Sequence, residues 1–244
     1  MTQTQWLGKK VAFLGDSITD KCHVGTEKNY WQYLQEELGI QALVYGINGN
    51  RWIHIKEQAE KLYQEHKLDV DAIFIFVGTN DYMGNVPPGQ WFDYRMQETN
   101  YGGNPVMRLR RLHNMDQETL RGRINSCMSY LKETFVDQQI ILATPIHRAF
   151  ATFSDTNVQP DESFPNALGL YIEDYVQITR EAADHWSCPL IDLFRLSGLH
   201  PLTGSHGKFF HKEDTDRLHP NAAGHRRMAE TIRYQLLALP SGFR

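Results

Sequence analysis

The residue best placed for chemistry is a serine that follows an apolar run. The tetrapeptide Gly15-Asp16-Ser17-Ile18 comes directly after the apolar residues 11–14. A serine at the point where a buried strand gives way to a loop presents its hydroxyl on a rigid support. That hydroxyl is a weak nucleophile until a neighbouring base removes its proton. Nucleophilic chemistry at Ser17 therefore requires a base, together with donors for the charge that develops on the substrate.

His219 is the best candidate for that base among the eleven histidines of the chain. It follows Asp216 by three residues, and Pro220 disfavours a helix at His219. A loop can then fold the Asp216 carboxylate back to accept the imidazole Nδ1–H, which leaves Nε2 free for Ser17. Taken alone, Asp216 and His219 would more often cap the final helix. Together with Ser17 they predict a Ser–His–Asp triad.

Two further segments, residues 46–49 (GING) and 78–81 (GTND), contain candidate hydrogen-bond donors. Acyl transfer needs donors at the position where the tetrahedral oxyanion forms. Gly49 offers an unobstructed backbone N–H and Asn80 a side-chain amide, and the backbone N–H of Ser17 is a third donor. Each segment alone is compatible with ordinary turn chemistry. Combined with the triad, they predict an oxyanion hole.

The elements that must position these residues follow from the hydrophobic pattern. Short apolar runs alternate with longer amphipathic stretches, which predicts βαβ units and a parallel sheet. The predicted strands are 11–14, 42–45, 72–77, 140–143 and 190–193, and the predicted helices lie near 29–38, 51–67, 117–136, 166–186 and 221–237. Five strands with right-handed crossovers predict a three-layer α/β/α sandwich with a five-stranded parallel sheet. Ligands bind beyond the carboxyl ends of such strands, so Ser17 and both donor segments are expected at one edge.

Three segments interrupt the βαβ rhythm: 82–115, 147–165 and 198–215. They are rich in glycine, proline, asparagine and aromatic residues, and long loops in a compact domain are usually functional lids or disordered. All three leave the carboxyl ends of predicted strands, so we expect loop insertions that cap the site. No internal repeat or linker is present, and residues 1–244 are predicted to form a single domain.

Several side chains near the motifs are candidates for substrate binding. They are Asp16, Trp52, Tyr82, Trp91 and Tyr94. Aromatic side chains at a cleft stack on sugars or line an acyl pocket, although packing beneath a cap is the commoner use.

Composition excludes several classes of partner. A net charge of −4 gives no basic surface for nucleic acid. No apolar run reaches the roughly 18 residues of a membrane span, and the first ten residues lack the pattern of a signal peptide. Three widely spaced cysteines fit a reducing compartment. We therefore expect a cytoplasmic protein whose partner is a small-molecule ester, with no nucleic-acid or membrane partner; nothing in the sequence indicates a homo-oligomer, and nothing excludes one.

Metal chemistry is the alternative for the histidine-rich carboxyl third. His206, His211 and Asp214 could join the triad residues Asp216 and His219 as ligands. Their spacing matches no known zinc motif, and an assembled triad needs no divalent cation. We therefore expect no metal and no cofactor.

The motifs taken together resemble the conserved blocks of the SGNH branch of the GDSL family of serine esterases and lipases. The blocks read GDSIT around Ser17, GINGN around Gly49, GTND around Asn80, and DRLHPN from Asp216 onward. Their order and spacing match over nearly the whole chain. Two features differ from related patterns: Val44 stands where family members often have asparagine, and Thr19 rules out the GxSxG elbow of α/β-hydrolases.

The resemblance implies a flavodoxin-like fold and ester hydrolysis through an acyl-enzyme. It makes Ser17 the nucleophile, His219 the general base and Asp216 its orienting carboxylate. Gly49 and Asn80 then complete the oxyanion hole with the Ser17 N–H, and Asp16 braces the serine loop. Because similar cytosolic members often deacetylate carbohydrates, we expect a short-chain acyl or acetyl ester. Two alternatives remain open at this point: an acyltransferase using the same acyl-enzyme, and a binding module that has lost catalysis.

Overall fold

The structure is a computed structural model and describes residues 4–243. In chain order the strands are β1 (Lys10–Gly15), β2 (Gln41–Val44), β3 (Ala72–Phe76), β4 (Phe92–Tyr101), β5 (Asn104–His113), β6 (Gln139–Ala143), β7 (Ala151–Ser154), β8 (Asn157–Gln159), β9 (Leu190–Ile191), β10 (Phe210–Lys212) and β11 (Asp216–Pro220). The helices are α1 (Tyr30–Leu38), α2 (Trp52–His66), α3 (Thr79–Met83), α4 (Leu120–Thr134), α5 (Ile172–Trp186), α6 (Leu193–Leu196) and α7 (Ala222–Leu237).

A five-stranded parallel sheet with the order β2-β1-β3-β6-β9 forms the centre of the molecule. In the middle of the sheet, Val11 of β1 pairs with Ala42 of β2 on one side and with Ala72 of β3 on the other. All five predicted strands are present, and the predicted α/β fold class is confirmed. The carboxyl ends of β1, β2 and β3 therefore lie side by side, as the placement of the motifs requires.

Helices cover both faces of this sheet, because alternate residues of each strand point to opposite sides. On one face Phe13 of β1 packs with Tyr30 of α1 and Ile232 of α7. On the other face Leu14 belongs to the cluster formed by α2, α4 and α5. The two apolar clusters explain why the strands read as continuous apolar runs, since both of their faces are buried.

Helix α5 begins six residues later than the sequence predicts. The residues between Asn166 and the start of α5 form a loop, because Asn166 Oδ1 accepts hydrogen bonds from the N–H groups of Leu168 and Leu170. No helix within residues 4–243 is long and apolar enough to cross a membrane.

The second and third insertions lie beside the predicted site. Their strands β7, β8 and β10 join β11 in a four-stranded sheet with the order β10-β11-β7-β8. Asp216 of β11 pairs with Lys212 on one side and with Ala151 on the other. These insertions therefore support the strand that carries Asp216 and His219.

The first insertion has a different structure from the predicted capping loop. Residues 92–113 form an antiparallel ribbon in which β4 and β5 pair only with each other. The base of the ribbon packs on the carboxyl end of α5, where Phe92 contacts His185 and His113 stacks on Trp186. Because α5 runs antiparallel to the strands it connects, that end is remote from the edge that bears Ser17. The ribbon is thus anchored on the helix layer and does not cap the triad.

Candidate active site

Ser17 lies in a single helical turn that follows β1. The carbonyl of Asp16 accepts hydrogen bonds from the N–H groups of Thr19 and Asp20. Gly15 is required before this turn, because a Cβ atom there would lie 2.4 Å from the Phe76 carbonyl oxygen. Ser17 is buried, with 5% of its surface exposed. The turn therefore fixes the serine rigidly at the carboxyl edge of the sheet.

A continuous chain of hydrogen bonds joins Ser17, His219 and Asp216. Ser17 Oγ lies 3.0 Å from His219 Nε2, and His219 Nδ1 lies 2.9 Å from Asp216 Oδ2. The other oxygen of Asp216 accepts the backbone N–H groups of Leu218 and His219, each at 3.1 Å. With a proton on Nδ1 directed at Asp216, Nε2 is the acceptor that faces the serine hydroxyl.

The environment of Asp216 keeps it ionised. Burial raises the pKa of the Asp216 carboxyl, but hydrogen bonds from the His219 ring and from two backbone N–H groups outweigh burial and hold that pKa below its usual range. An ionised carboxylate at this position fixes the orientation of the imidazole and stabilises its protonated form. The triad geometry and its electrostatics therefore agree.

Asp16, directly before the serine, is in the opposite situation. Its carboxyl is 2% exposed, and burial raises its pKa to about 7, against the smaller opposing effects of the Ile18 N–H and the nearby His219. Asp16 Oδ1 accepts the Ile18 N–H at 3.1 Å. This contact braces the loop, and the buried position leaves Asp16 little surface for contact with a substrate.

The predicted oxyanion donors lie on the loops that adjoin Ser17. Gly49 is exposed, has φ of +80° and has open space where a Cβ would be, so its loop is accessible to a ligand. The Asn80 side chain donates one N–H to the carbonyl of Asn50 at 3.0 Å, which leaves its second N–H available. Among the described residues, the backbone N–H groups of Ser17 and Gly49 have no protein acceptor.

Two buried carboxylates, Asp20 and Asp81, join the loops of the site by accepting backbone hydrogen bonds. These contacts were not predicted from the sequence. Asp20 Oδ2 accepts the Asn48 N–H at 2.8 Å, which ties the serine turn to the Gly49 loop. Asp81 Oδ2 accepts the Trp52 N–H at 3.0 Å, which ties the Asn80 helix to the same loop. The sequence signal for Asp81 was its position beside Asn80, but its partners are distant in the chain.

Asp81 also forms a buried ion pair with Arg123. The carboxylate is fully buried, Arg123 is 9% exposed, and Nη1 lies 3.1 Å from Asp81 Oδ1. Burial raises the pKa of Asp81 to about 6, although the Trp52 N–H and the Arg123 guanidinium both act to lower it. The pair therefore anchors the segment that carries the predicted donor Asn80 to helix α4.

A depression lies beside the triad. It is a cleft of about 250 Å³, lined by Asp216 and His219 and bordered by Phe153, whose ring centroid is 5.6 Å from that of the imidazole. A larger groove of about 660 Å³ runs along the open edge of β2, and its lining includes Gly46, Ile47 and Asn50 of the loop that carries Gly49. The cleft beside His219 is therefore the cavity that adjoins the triad.

The aromatic residues predicted to bind substrate lie elsewhere. Trp52 and Tyr82 are each only 1% exposed and belong to the core, where the Tyr82 ring packs edge to face against Tyr175. Trp91 packs on helix α5 and donates its indole N–H to Glu181. Tyr94 is exposed on the β4–β5 ribbon. Burial gives Trp52 and Tyr82 a packing role in place of the expected substrate contact, and Trp91 and Tyr94 lie at the ribbon beside the carboxyl end of α5.

The histidine-rich segment does not supply the cluster that was considered for a metal. Among residues 4–243, the only trio of potential ligand atoms within 4.8 Å of one another belongs to His147, Glu162 and His200. Both oxygens of Glu162 are already engaged, one by His147 Nδ1 and the other by the Arg148 N–H. These contacts explain the trio as an anchor for the loop between β6 and β7.

Comparisons with known proteins agree with the fold and the motifs. The model of the GDSL-like Lipase/Acylhydrolase family matches residues 13–227, and a search of curated proteins found no significant match. A crystal structure of a protein from Lactobacillus plantarum is similar at a TM-score of 0.73 and 24% identity, covering 95% of this chain and 98% of that one. A possible lipase from Chitinophaga pinensis gives 0.67 and 18%, covering 94% and 99%. A catalytic mutant of an acetylxylan esterase from Geobacillus stearothermophilus gives 0.56 and 19%, covering 96% of each chain.

The likenesses among solved structures, all below 25% identity, show the fold. The family match covers most of the chain and includes all four motifs. The chain therefore belongs to the GDSL-like lipase/acylhydrolase family and is a carboxylic ester hydrolase.

Proposed function

We propose that this hydrolase cleaves its ester through a covalent acyl-enzyme on Ser17, with His219 as general base and Asp216 as the orienting carboxylate. The observation that carries the proposal is the unbroken hydrogen-bond chain, with 3.0 Å between Ser17 Oγ and His219 Nε2 and 2.9 Å between His219 Nδ1 and Asp216. This is the arrangement in which an imidazole can remove a hydroxyl proton during attack.

The reaction follows from the positions of the donors and acceptors. His219 Nε2 takes the hydroxyl proton as Ser17 Oγ attacks the ester carbonyl carbon. Negative charge moves to the carbonyl oxygen, where the N–H groups of Ser17, Gly49 and Asn80 donate hydrogen bonds. The imidazolium then protonates the departing alcohol oxygen, which leaves an acyl group on Ser17. Water, deprotonated by His219, attacks this acyl group; the bond between the acyl carbon and Ser17 Oγ then breaks, the imidazolium returns its proton to Oγ, and the carboxylic acid is released.

The surroundings of the triad support a short acyl group on a polar alcohol. Ser17 is 5% exposed, and the cleft beside His219 is bordered by polar groups from Thr152, His211 and Lys212. The exposed ring of Phe153 offers a face on which a sugar can stack. Similarity in fold to an acetylxylan esterase supports the same choice. We therefore propose an acetylated carbohydrate as the substrate class.

A hydrolysis screen over acyl length, including acetylated sugars, tests both parts of this proposal. We expect the rate to be highest for acetyl esters and to fall as the acyl chain lengthens. Replacing Ser17 with alanine should lower kcat by at least about 10³-fold. The exposed residue Ser205 provides the matched control, and Ser205→Ala should retain full activity. Substantial turnover by Ser17→Ala would contradict the acyl-enzyme, and a preference for long acyl chains would contradict the substrate class.

A further inference from the structure

The β4–β5 ribbon has one apolar face that nothing within residues 4–243 covers. Residues that pair directly across the strands share a face of an antiparallel ribbon. The base of the ribbon is the Phe92–His113 pair and its tip is the Gly102-Gly103 turn. From base to tip, the five pairs on one face are Phe92 with His113, Tyr94 with Arg111, Met96 with Leu109, Glu98 with Met107, and Asn100 with Pro105. Four large apolar side chains on this face are between 51% and 61% exposed: Tyr94, Met96, Met107 and Leu109.

The opposite face of the ribbon is mostly polar, and its apolar members are Tyr101, Val106 and Leu112. Its pairs include Arg95 with Arg110 and Gln97 with Arg108. Alternation of apolar and polar residues is the pattern of a strand with one buried face. A two-stranded ribbon is at best marginally stable by itself in water, and exposed contiguous apolar surface usually marks an interaction site. The ribbon therefore has the sequence of a covered structure, although the single chain leaves it uncovered.

Two charged residues on the apolar face, Arg111 and Glu98, indicate that the partner is a second copy of this chain. Arg111 lies one row towards the base from the central Met96–Leu109 pair, and Glu98 lies one row towards the tip. The Arg111 guanidinium lies 4.7 Å from the centre of the Phe92 ring, which places its side chain on this face. A ribbon stacked on an identical ribbon in the antiparallel sense brings each arginine near the glutamate of the other copy. Parallel stacking would bring like charges into the same row.

We propose that the apolar face of the β4–β5 ribbon is the interface of a two-fold symmetric dimer of this chain, with the two ribbons stacked antiparallel. The central Met96–Leu109 pair lies on the two-fold axis, and Arg111 and Glu98 form two equivalent intersubunit ion pairs. This is an isologous contact, which closes after two copies and leaves no surface for further growth. The bodies of the two subunits lie at opposite ends of the stacked ribbons.

The area available is sufficient for a reversible dimer. The four exposed side chains each have about 200 Å² of surface when free. At the observed exposures they offer about 450 Å² per ribbon, so that two stacked faces bury about 900 Å² of apolar surface. Polar rows at either end add to this, which brings the total close to the roughly 1,200 Å² at which specific dimers begin.

Analytical ultracentrifugation of the full chain from about 1 to 100 µM tests the dimer, because interfaces at the small end of the size range are typically weak and reversible. We expect a concentration-dependent dimer. Met96→Lys places a charge on the apolar face and should raise the dissociation constant at least about tenfold. Thr99→Lys makes the same change in charge on the opposite, exposed face of the same strand and should leave dimerisation unchanged.

A charge exchange tests the antiparallel arrangement. Glu98→Arg and Arg111→Glu should each weaken the dimer, and the double variant should restore it, because every intersubunit contact again joins opposite charges. All variants should keep the melting temperature of the monomer and its rate of ester hydrolysis, since these side chains do not contact the triad. A wild-type chain that stays monomeric at 100 µM, equal effects of Met96→Lys and Thr99→Lys, or a double variant as weak as the single ones would overturn the proposal. Monomeric chain that instead sediments with anionic lipid vesicles would also overturn it.

Discussion

Replacing Asp81 with alanine is expected to destabilise the protein by about 3–5 kcal/mol, because the change leaves Arg123 as an unpaired buried cation. Arg123 is 9% exposed, and its other described hydrogen bond, from Nε, is to the carbonyl of Gln117 at 2.7 Å. The substitution also removes the acceptor of the Trp52 N–H. For a chain of this length, a loss of 3–5 kcal/mol lowers the melting temperature by roughly 6–20 °C.

A double-mutant cycle separates the coupling between Asp81 and Arg123 from the contribution of each residue alone. If the cost arises from an unpaired charge, removing both partners should cost less than the sum of the two single changes. Asp81→Ala combined with Arg123→Met should therefore recover part of the stability that Asp81→Ala loses. Urea denaturation of the four proteins gives the coupling energy, which we expect to exceed about 1 kcal/mol. Additive effects, or a loss below about 1 kcal/mol for Asp81→Ala, would refute the assignment of this pair as an anchor of the segment that carries Asn80.

Other consequences can be measured with single variants. Asn80→Ala removes one oxyanion donor and should lower kcat by about 10²–10³-fold with a smaller change in KM; steady-state kinetics that show an unchanged kcat would exclude Asn80 from the hole. Burial raises the pKa of Asp16 from its ordinary value of 3.8 to about 7, so the unfolded chain releases this proton first and the wild type loses stability as pH rises from about 4 to 7. Asp16→Asn cannot ionise, and thermal melts should therefore show it gaining stability relative to the wild type over that interval. A difference that stays constant with pH would contradict the raised pKa. Burial lowers the pKa of His225 from 6.5 to about 3, so as pH falls the unfolded chain takes up this proton before the folded protein does. The free energy of unfolding should therefore fall by up to about 1.4 kcal/mol per pH unit below about pH 6.5. His225→Gln should flatten this dependence in urea titrations, and an unaltered slope would assign acid unfolding to other groups.

The parts of the structure that sequence patterns predicted depend on local signals. Residues 11–14 and 72–77 read as buried strands because both of their faces are apolar, and the structure confirms β1 and β3 there. The rule that ligands bind at the carboxyl ends of parallel strands placed Ser17 beside residues 46–49 and 78–81. Asp216 and His219 were recognisable because a spacing of three residues lets the carboxylate reach the imidazole.

The parts that were missed depend on contacts between distant segments. The Asp81–Arg123 pair joins residues 42 positions apart, and no pattern within either segment indicates the partner. Trp52 and Tyr82 are buried because helices α2, α4 and α5 close over them, which depends on tertiary packing. The β4–β5 ribbon did have a local signal, since alternating apolar residues flank the Gly102-Gly103 turn. Its glycine- and proline-rich surroundings led to the interpretation as a loop.

Covalent labelling is the most direct test of the proposal that His219 activates Ser17. A fluorophosphonate reacts with an activated serine and leaves an adduct that peptide mass spectrometry can locate. We expect stoichiometric modification at Ser17 in the wild-type protein and a loss of at least about 10³-fold in labelling rate in His219→Ala, whose serine lacks its base. An unlabelled wild-type protein, an adduct on another residue, or equally fast labelling of His219→Ala would contradict activation of Ser17 by His219.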